Sequence, residues 1–140
     1  MENQEARKRA AALVDKLPYP MLVTWDRGGQ PAIRAMTTIE HEGLRTIWFA
    51  TSVSSRKIEH LRRNPSAMVY IVDSQTESAV TLEGTAQLVQ DEQAKQRYWR
   101  RGFERWFGGG YDDPRYCLLR FDTQRAVYTE DRANTELDLR

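Results

Sequence analysis

The chain has 140 residues, of which 40% are hydrophobic and 29% are charged, and its formal net charge is +1. This length and composition fit one domain, residues 1–140, with a single hydrophobic core. A charge so near zero disfavours a partner such as nucleic acid that is held by bulk charge. No apolar stretch is long enough to span a bilayer, and the first residues, MENQEARKRAA, are charged rather than signal-like. We therefore expect a cytoplasmic protein with no membrane partner.

The first half of the chain predicts one helix followed by three strands. Apolar residues recur at helical spacing from Glu5 to Leu17, and the pattern ends before Pro18. Runs typical of β-strands follow at Met21 to Trp25, Pro31 to Glu40 and Leu44 to Ala50. Turn residues separate these runs at Asp26 to Gly29 and at His41 to Gly43.

The second half predicts a short helix, two strands, a long helix and a last pair of strands. The short helix begins near Arg56 and ends at Asn64-Pro65, and the strands after it are Ala67 to Val72 and Ala79 to Val89. Gly84 lies inside the second strand and suggests a bulge or a close backbone approach. The remaining predictions are a helix from Asp91 to Phe107, strands Tyr116 to Phe121 and Arg125 to Thr129 around a turn at 122–124, and a polar tail from Glu130 that frays.

Aromatic side chains form a stripe on the predicted long helix. Trp99, Phe103 and Phe107 recur every four residues, which places three rings on one helical face. Packing onto the sheet is the ordinary role of such a stripe, while a subunit contact and a wall of a ligand pocket remain open. The order of elements predicts an α+β protein that is mainly β, an antiparallel barrel with outer helices, although periodicity alone does not separate a closed barrel from an open sheet.

The strongest chemical signal is a cluster of hydroxyl and cationic residues at the start of the short helix. The apolar run Ile47 to Ala50 leads into a turn with four hydroxyls, and Arg56 and Lys57 follow in the first helical turn. Cations there are repelled by the helix dipole, whereas an anion such as phosphate is favoured by the dipole and the free N–H groups. The alternative is a solvated charged turn that is capped by Ser55.

Residues for protein-based catalysis are scarce in this chain. His41 and His60 fall in a turn and on a charged helix, which favours a surface position for both, and the single Cys117 between apolar residues indicates a buried thiol. No metal-ligand spacing or nucleophile motif occurs, so we predict no metal site and leave the catalytic residues unassigned. Any catalysis would then depend on a cofactor.

Several of these segments together resemble a known family. TSVSSRK with Thr51, Ser55, Arg56 and Lys57, the helix end at Asn64-Pro65 and the upstream PAIRAMT with Arg34 are similar to the flavin-binding core of the pyridoxamine 5′-phosphate oxidase-like proteins. The GTA segment and the DDP-x-x-x-L-L-R segment resemble the general stress protein-like branch of that family. The resemblance covers most of the chain. It implies a split β-barrel and a homodimer with two FMN sites at the subunit interface.

The resemblance also implies which residues hold the cofactor. The phosphate group of FMN would be held by Arg34, Ser55, Arg56 and Lys57. The ring and ribityl chain would lie along Ala35, Met36, Thr37, Ala50 and Thr51, mostly through backbone groups. The protein would then be an FMN-dependent oxidoreductase acting on an unknown small molecule. A deazaflavin-dependent reductase and a non-catalytic stress protein that binds flavin or haem are the alternatives.

Two reservations come from the residues themselves. Without the resemblance, Arg34 would be taken as an ordinary charge on a strand surface, and Met36 and Thr37 as ordinary strand alternation. Ala50 stands where some relatives carry a larger aromatic residue, which departs from the family pattern at a position where a ring could stack.

Overall fold

The structure, a computed structural model, describes residues 1–139 and contains three α-helices and eight β-strands within them. The helices are α1 Asn3–Lys16, α2 Arg56–Arg63 and α3 Glu92–Arg97. The strands are β1 Met21–Trp25, β2 Pro31–Ala35, β3 Thr38–Glu42, β4 Thr46–Ser52, β5 Ser66–Asp73, β6 Ser78–Val89, β7 Tyr116–Glu130 and β8 Ala133–Glu136. None of the helices in residues 1–139 is long and apolar enough to cross a membrane.

The strands form one antiparallel sheet that closes on itself. Its order is β2-β1-β5-β6-β7-β4-β3, with β8 paired to β7, so β2 and β3 lie at opposite ends of the path. Only Met36 and Thr37 separate these two strands, and a link of that length spans about 11 Å at most. Hydrogen bonds from Met36 N–H to Pro20 O, 2.8 Å, and from Thr38 N–H to Pro18 O, 3.1 Å, join the two ends. The predicted mainly β barrel with flanking helices is confirmed.

Two helices help to enclose the barrel core. In α1 the buried residues Ala6, Ala10, Leu13 and Val14 recur at helical spacing and pack into the core cluster. In α2 the residues Ile58 and Leu61 are buried in the same cluster, so this short helix covers part of the barrel interior beside β1 and β6. The position of α2 brings its first turn to the place where β2 and β3 meet.

Gly84 marks a bulge, as its place inside a strand predicted. The register of β6 against β7 shifts between Glu83 and Gly84, so that Gln124 of β7 is the extra residue. A Cβ atom at position 84 would collide with the backbone oxygen of Asp122. Glycine is therefore required where the two long strands bend together.

Two predicted boundaries in the first half are wrong. The run Pro31 to Glu40 is not one strand, because β2 ends at Ala35 and β3 begins at Thr38. The polypeptide passes from one edge strand of the sheet, β2, to the other, β3, at that point. β3 continues through Glu42, so the turn predicted at His41 to Gly43 lies later, around Gly43, which has a positive φ of 54°.

The predicted long helix from Asp91 to Phe107 is also wrong. α3 ends at Arg97, a left-handed Gly102 with φ of 99° interrupts the chain, and a short 3-10 turn covers Phe103–Arg105. The aromatic residues still converge, because Trp99, Phe103 and Phe107 all lie close to the ring of Tyr116. Packing around one buried ring replaces the predicted helical face.

The predicted last pair of strands is one long strand. β7 runs without interruption from Tyr116 to Glu130 and passes through the positions at which a turn was predicted. Thr123 N–H donates to Arg45 O at 2.8 Å, which holds that segment in place beside β4. The predicted frayed tail is wrong in part, since residues 133–136 pair with β7 as β8.

Candidate functional site

A cavity of about 530 Å³ lies where the two ends of the sheet meet. The β2–β3 link, the end of β4, the first turn of α2 and the segment between α3 and β7 surround it. Its lining residues are Ala35, Met36, Thr37, Ala50, Thr51, Ser52, Ser54, Lys57, Trp106, Phe107 and Arg115. Barrel closure thus creates the cavity, because it brings the β2–β3 link beside β4.

Most residues that the sequence assigned to a cofactor face this cavity. The predicted residues among its lining are Ala35, Met36, Thr37, Ala50, Thr51 and Lys57. The others, Arg34, Ser55 and Arg56, are not in the lining, although they lie on the adjoining strand and helix. The structure therefore places the predicted ring and ribityl residues and Lys57 along one cavity, while Arg34, Ser55 and Arg56 are sequence neighbours of lining residues.

Lys57 is a cation in the lining of this cavity. It is half-buried, and its Nζ donates a hydrogen bond to Thr51 Oγ1 at 2.9 Å. Burial, and to a smaller extent the positive charge of Arg34, lower the pKa of Lys57 below its ordinary value. A lysine in such surroundings gains free energy from any anion that reaches it.

Arg34 lies beside Lys57 and is held by strand β1. Its Nη1 donates to Thr24 Oγ1 at 2.7 Å and to the carbonyl oxygens of Ala32 and Leu22 at 3.1 and 3.3 Å. Burial lowers the pKa of Arg34, and the nearby charge of Arg56 lowers it further. Nη1 is thus fully engaged, whereas Nε and Nη2 donate to no group in residues 1–139.

The three clustered cations have no acidic partner in the described part of the chain, residues 1–139. Within residues 1–139, no carboxylate forms an ion pair with Arg34, Arg56 or Lys57, although other arginines of the same chain pair well. Like charges held together cost free energy unless an anion neutralises them. The cluster is therefore suited to a phosphate or another compact anion.

The turn before α2 leaves the helix start available. Ser55 stands at the N-cap, but its side chain does not cap the helix, because Oγ donates to Ser52 O at 2.8 Å instead. The predicted capping of α2 by the Ser55 side chain is therefore wrong. Ser52 and Ser54 share a hydrogen bond of 3.0 Å between their Oγ atoms and line the cavity, so hydroxyl groups face the same space as Lys57.

Aromatic side chains form part of the cavity wall. Phe107 is buried and packs on Tyr116 with ring centroids 5.3 Å apart, whereas Trp106 is 58% exposed. The sequence had left a pocket wall open as a role for this aromatic segment. The exposure of Trp106 and the burial of Phe107 were not predictable, because the predicted helix was wrong.

Arg115 completes the cavity and is already neutralised. Its guanidinium donates to the two carboxylate oxygens of the buried Asp113, with Nη2–Oδ2 at 2.7 Å and Nε–Oδ1 at 3.1 Å. These hydrogen bonds, with those from backbone N–H groups, hold the pKa of Asp113 far below its usual range. No motif around Arg115 had marked it as a site residue.

The remaining reactive groups are not in the cavity lining. His60 is buried against Thr24, so its predicted surface position is wrong, while His41 is partly exposed and contacts Asp15. Cys117 is buried as expected, and burial raises the pKa of its thiol to about 11. Residues 1–139 contain no cluster of three potential metal ligands.

Comparison with known proteins decides the family. A family model described as pyridoxamine 5′-phosphate oxidase like matches residues 5–137. The chain belongs to this family. General stress protein 26 of Bacillus subtilis (strain 168) is 28% identical to the chain over 144 residues, which cover 99% of the chain and 100% of that relative.

Solved structures agree with this assignment. A protein from Clostridium acetobutylicum described as related to general stress protein 26 has a TM-score of 0.88 and 28% identity, and the match covers 99% of this chain and 97% of that one. More distant structures share the fold alone. They include an F420 reductase, TM-score 0.65 and 16% identity over 84% of this chain and 94% of that one, and a haem-binding protein from Mycobacterium smegmatis, TM-score 0.74 and 19% identity over 94% and 57%.

Proposed function

We propose that this member of the pyridoxamine 5′-phosphate oxidase-like family binds FMN in the cavity and acts as an oxidoreductase on a small substrate. The observation that carries the proposal is the group of three cations, Arg34, Arg56 and Lys57, that lack acidic partners within residues 1–139 and lie in or beside the wall of a cavity of about 530 Å³. A phosphate monoester carries two negative charges near neutral pH, which complements such a group. When bound, FMN supplies the redox chemistry of its isoalloxazine ring.

The residues of the chain would divide the work of binding. Lys57 would contact the phosphate group as a point charge, and the unused Nε and Nη2 of Arg34 would provide a planar pair of donors. Ser52 and Ser54, which line the cavity together with Lys57, add hydroxyl groups. The backbone of Ala35, Met36 and Thr37 would flank the ring and would leave its other face toward Trp106.

The lining of the cavity favours FMN over the two alternative cofactors. Haem iron is bound in proteins through His, Cys, Met or Tyr, and of these only Met36 is in the lining, where it is buried. A deazaflavin with a longer anionic tail needs further free cations. The remaining lining cation is Arg115, which Asp113 already neutralises.

An absorption spectrum of the purified protein tests the cofactor directly. We expect flavin bands, with FMN as the molecule that mass spectrometry finds after release. A deazaflavin or a Soret band from haem would replace the proposal with the corresponding alternative. A colourless protein that does not bind added FMN would contradict it.

We also propose a homodimer in which a second copy covers the outer face of β2, β1 and β5. Apolar side chains are exposed there across neighbouring strands, including Met21 at 36%, Ile33 at 61% and Tyr70 at 40%. Ala35 continues this face directly into the cavity, since it pairs with Met21 and lines the site. A stable interface of standard size buries about 1,600 Å² in total, which an apolar sheet face can provide.

The second copy can be tested by sedimentation equilibrium at micromolar concentration. We expect a dimer for the wild type and for Ile33→Val, and a monomer for Ile33→Asp, because a carboxylate would be desolvated in the interface. Ile33 is exposed in the single chain, so neither change should alter the free energy of unfolding of the subunit by more than about 0.5 kcal/mol. A monomeric wild type, or a dimeric Ile33→Asp variant, would contradict this face as the interface.

A cytoplasmic location is part of the same proposal. The single Cys117 is a free, buried thiol, which a reducing compartment preserves.

A further inference from the structure

A buried pair of polar side chains, Thr24 and His60, lies directly behind Arg34. Thr24 on β1 is fully buried, His60 on α2 is 6% exposed, and their Oγ1 and Nδ1 atoms are 2.9 Å apart. The same Thr24 oxygen accepts the 2.7 Å hydrogen bond from Arg34 Nη1. Buried polar groups cost free energy unless they are hydrogen-bonded, so a chain of three such residues calls for a specific role.

The direction of each hydrogen bond in this chain can be assigned. Arginine only donates, so the Thr24 hydroxyl accepts from Arg34. A hydroxyl has a single hydrogen, and in residues 1–139 the acceptor beside Thr24 Oγ1 is His60 Nδ1. Thr24 therefore donates to His60, whose ring proton lies on Nε2. The reverse arrangement would leave a fully buried hydroxyl hydrogen without an acceptor.

In the hydrogen-bonded series His60, Thr24 and Arg34, each side chain also restricts the orientation of the next. α2 packs on β1, and Ile58 and Leu61 bury the helix on both sides of His60 in sequence, so the imidazole is held by the core. The imidazole orients the Thr24 hydroxyl, and that hydroxyl holds Arg34 Nη1. The free Nε and Nη2 of the guanidinium are then presented in one orientation.

We propose that Thr24 and His60 are positioning residues that fix the Arg34 guanidinium for the anion held at the start of α2. This inference rests on the proposed function, since the anion is the phosphate group of FMN. Neither residue lines the cavity, and their effect on the ligand passes through Arg34. Preorganisation of the donor lowers the conformational entropy that binding would otherwise lose.

Affinities for FMN and for riboflavin, which lacks the phosphate group, test the proposal. We expect Thr24→Val, which keeps the shape of the side chain but removes the hydroxyl, to weaken FMN binding about tenfold or more, equivalent to 1.4 kcal/mol. Riboflavin binding should not change. Thr24→Ser restores the hydroxyl and His60→Asn restores an acceptor near the Nδ1 position, so both should bind FMN within a few-fold of the wild type, in contrast to His60→Ala.

Leu61→Ala is the control for a loss of stability alone. Leu61 is buried on the same helix but has no polar side-chain atom that could join these hydrogen bonds, so this variant should unfold at a lower temperature and still bind FMN as the wild type does at 15 °C to within a few-fold. If His60→Ala does not fold, the Thr24→Val and Thr24→Ser pair still decides the question.

The outcomes separate this inference from the proposed function. A wild type that binds FMN, with a Thr24→Val variant that binds it equally well, would overturn only the positioning role. Equal losses for FMN and riboflavin would do the same, because the effect would not pass through the phosphate group. A wild type that does not bind FMN would overturn the proposed function, and this inference with it.

Discussion

Two cations that line the cavity, Arg115 and Lys57, are in opposite electrostatic states. Arg115 is 60% exposed, yet it donates two hydrogen bonds to the carboxylate of Asp113. Lys57 is half-buried, where a charge costs more, and its hydrogen bond within residues 1–139 goes to the uncharged Thr51 hydroxyl. The more expensive charge is thus the one left without a counterion by residues 1–139. This difference indicates that the protein alone balances the charge of Arg115, whereas the charge of Lys57 is suited to pairing with an external anion.

The largest effect is expected when Arg34 and Lys57 are removed together. In the Arg34→Ala/Lys57→Ala variant, FMN should lose two charge-assisted contacts of roughly 1.5–3 kcal/mol each, a loss of several kcal/mol in binding free energy. Isothermal titration with FMN measures this loss. Removal of Arg34 also removes its hydrogen bonds to Thr24, Ala32 and Leu22, so the free energy of unfolding without ligand should fall and is measured beside the affinity.

Arg115→Ala is the matched control for that experiment. It removes a cation that lines the same cavity but is already paired, so FMN affinity should change by less than about 1 kcal/mol. Unchanged FMN affinity in the double variant, or an equally large loss in Arg115→Ala, would show that Lys57 and Arg115 do not differ in the way described.

The site was predictable from sequence where its residues are neighbours in the chain. Thr51 and Lys57 lie within one strand–turn–helix segment, so local chemistry was enough to associate them with an anion. Arg34 is brought to them by barrel closure, and the sequence alone gave it no role until the family resemblance was considered. Arg115 was missed because its place in the cavity depends on packing of the segment after α3, which no local pattern reveals.

The second largest effect is on stability, and it distinguishes the buried Phe107 from the exposed Trp106 in the cavity wall. Phe107 is buried against Tyr116, so Phe107→Ala should lower the free energy of unfolding by about 3–5 kcal/mol. Trp106 is 58% exposed, so Trp106→Ala should change it by no more than about 0.5 kcal/mol. Urea denaturation without ligand measures both, and similar losses in the two variants would contradict the exposure of Trp106.

The aromatic segment also shows why part of the fold was not predictable. Spacing of four residues from Trp99 to Phe103 to Phe107 is compatible with a helix, but Gly102 adopts a left-handed conformation there. The rings gather around Tyr116 from a non-helical chain, because burial of aromatic surface outweighs the local preference. His60 is a similar case. Its charged neighbours suggested the surface, and only the approach of Thr24 from β1 makes its burial favourable.

The smallest effect, a pH dependence, distinguishes Lys57 from an ordinary surface lysine. Burial lowers the pKa of Lys57 below 10.5, and a bound phosphate favours the protonated form. Above the lowered pKa a proton must be taken up on binding, so FMN affinity should fall with rising pH, by at most about tenfold per pH unit. This fall should begin below pH 10.5. Lys57→Arg keeps its charge throughout that range and should abolish the fall. Fluorescence titrations of FMN from pH 7 to 10.5 measure both proteins, and identical profiles would exclude Lys57 as the titrating contact.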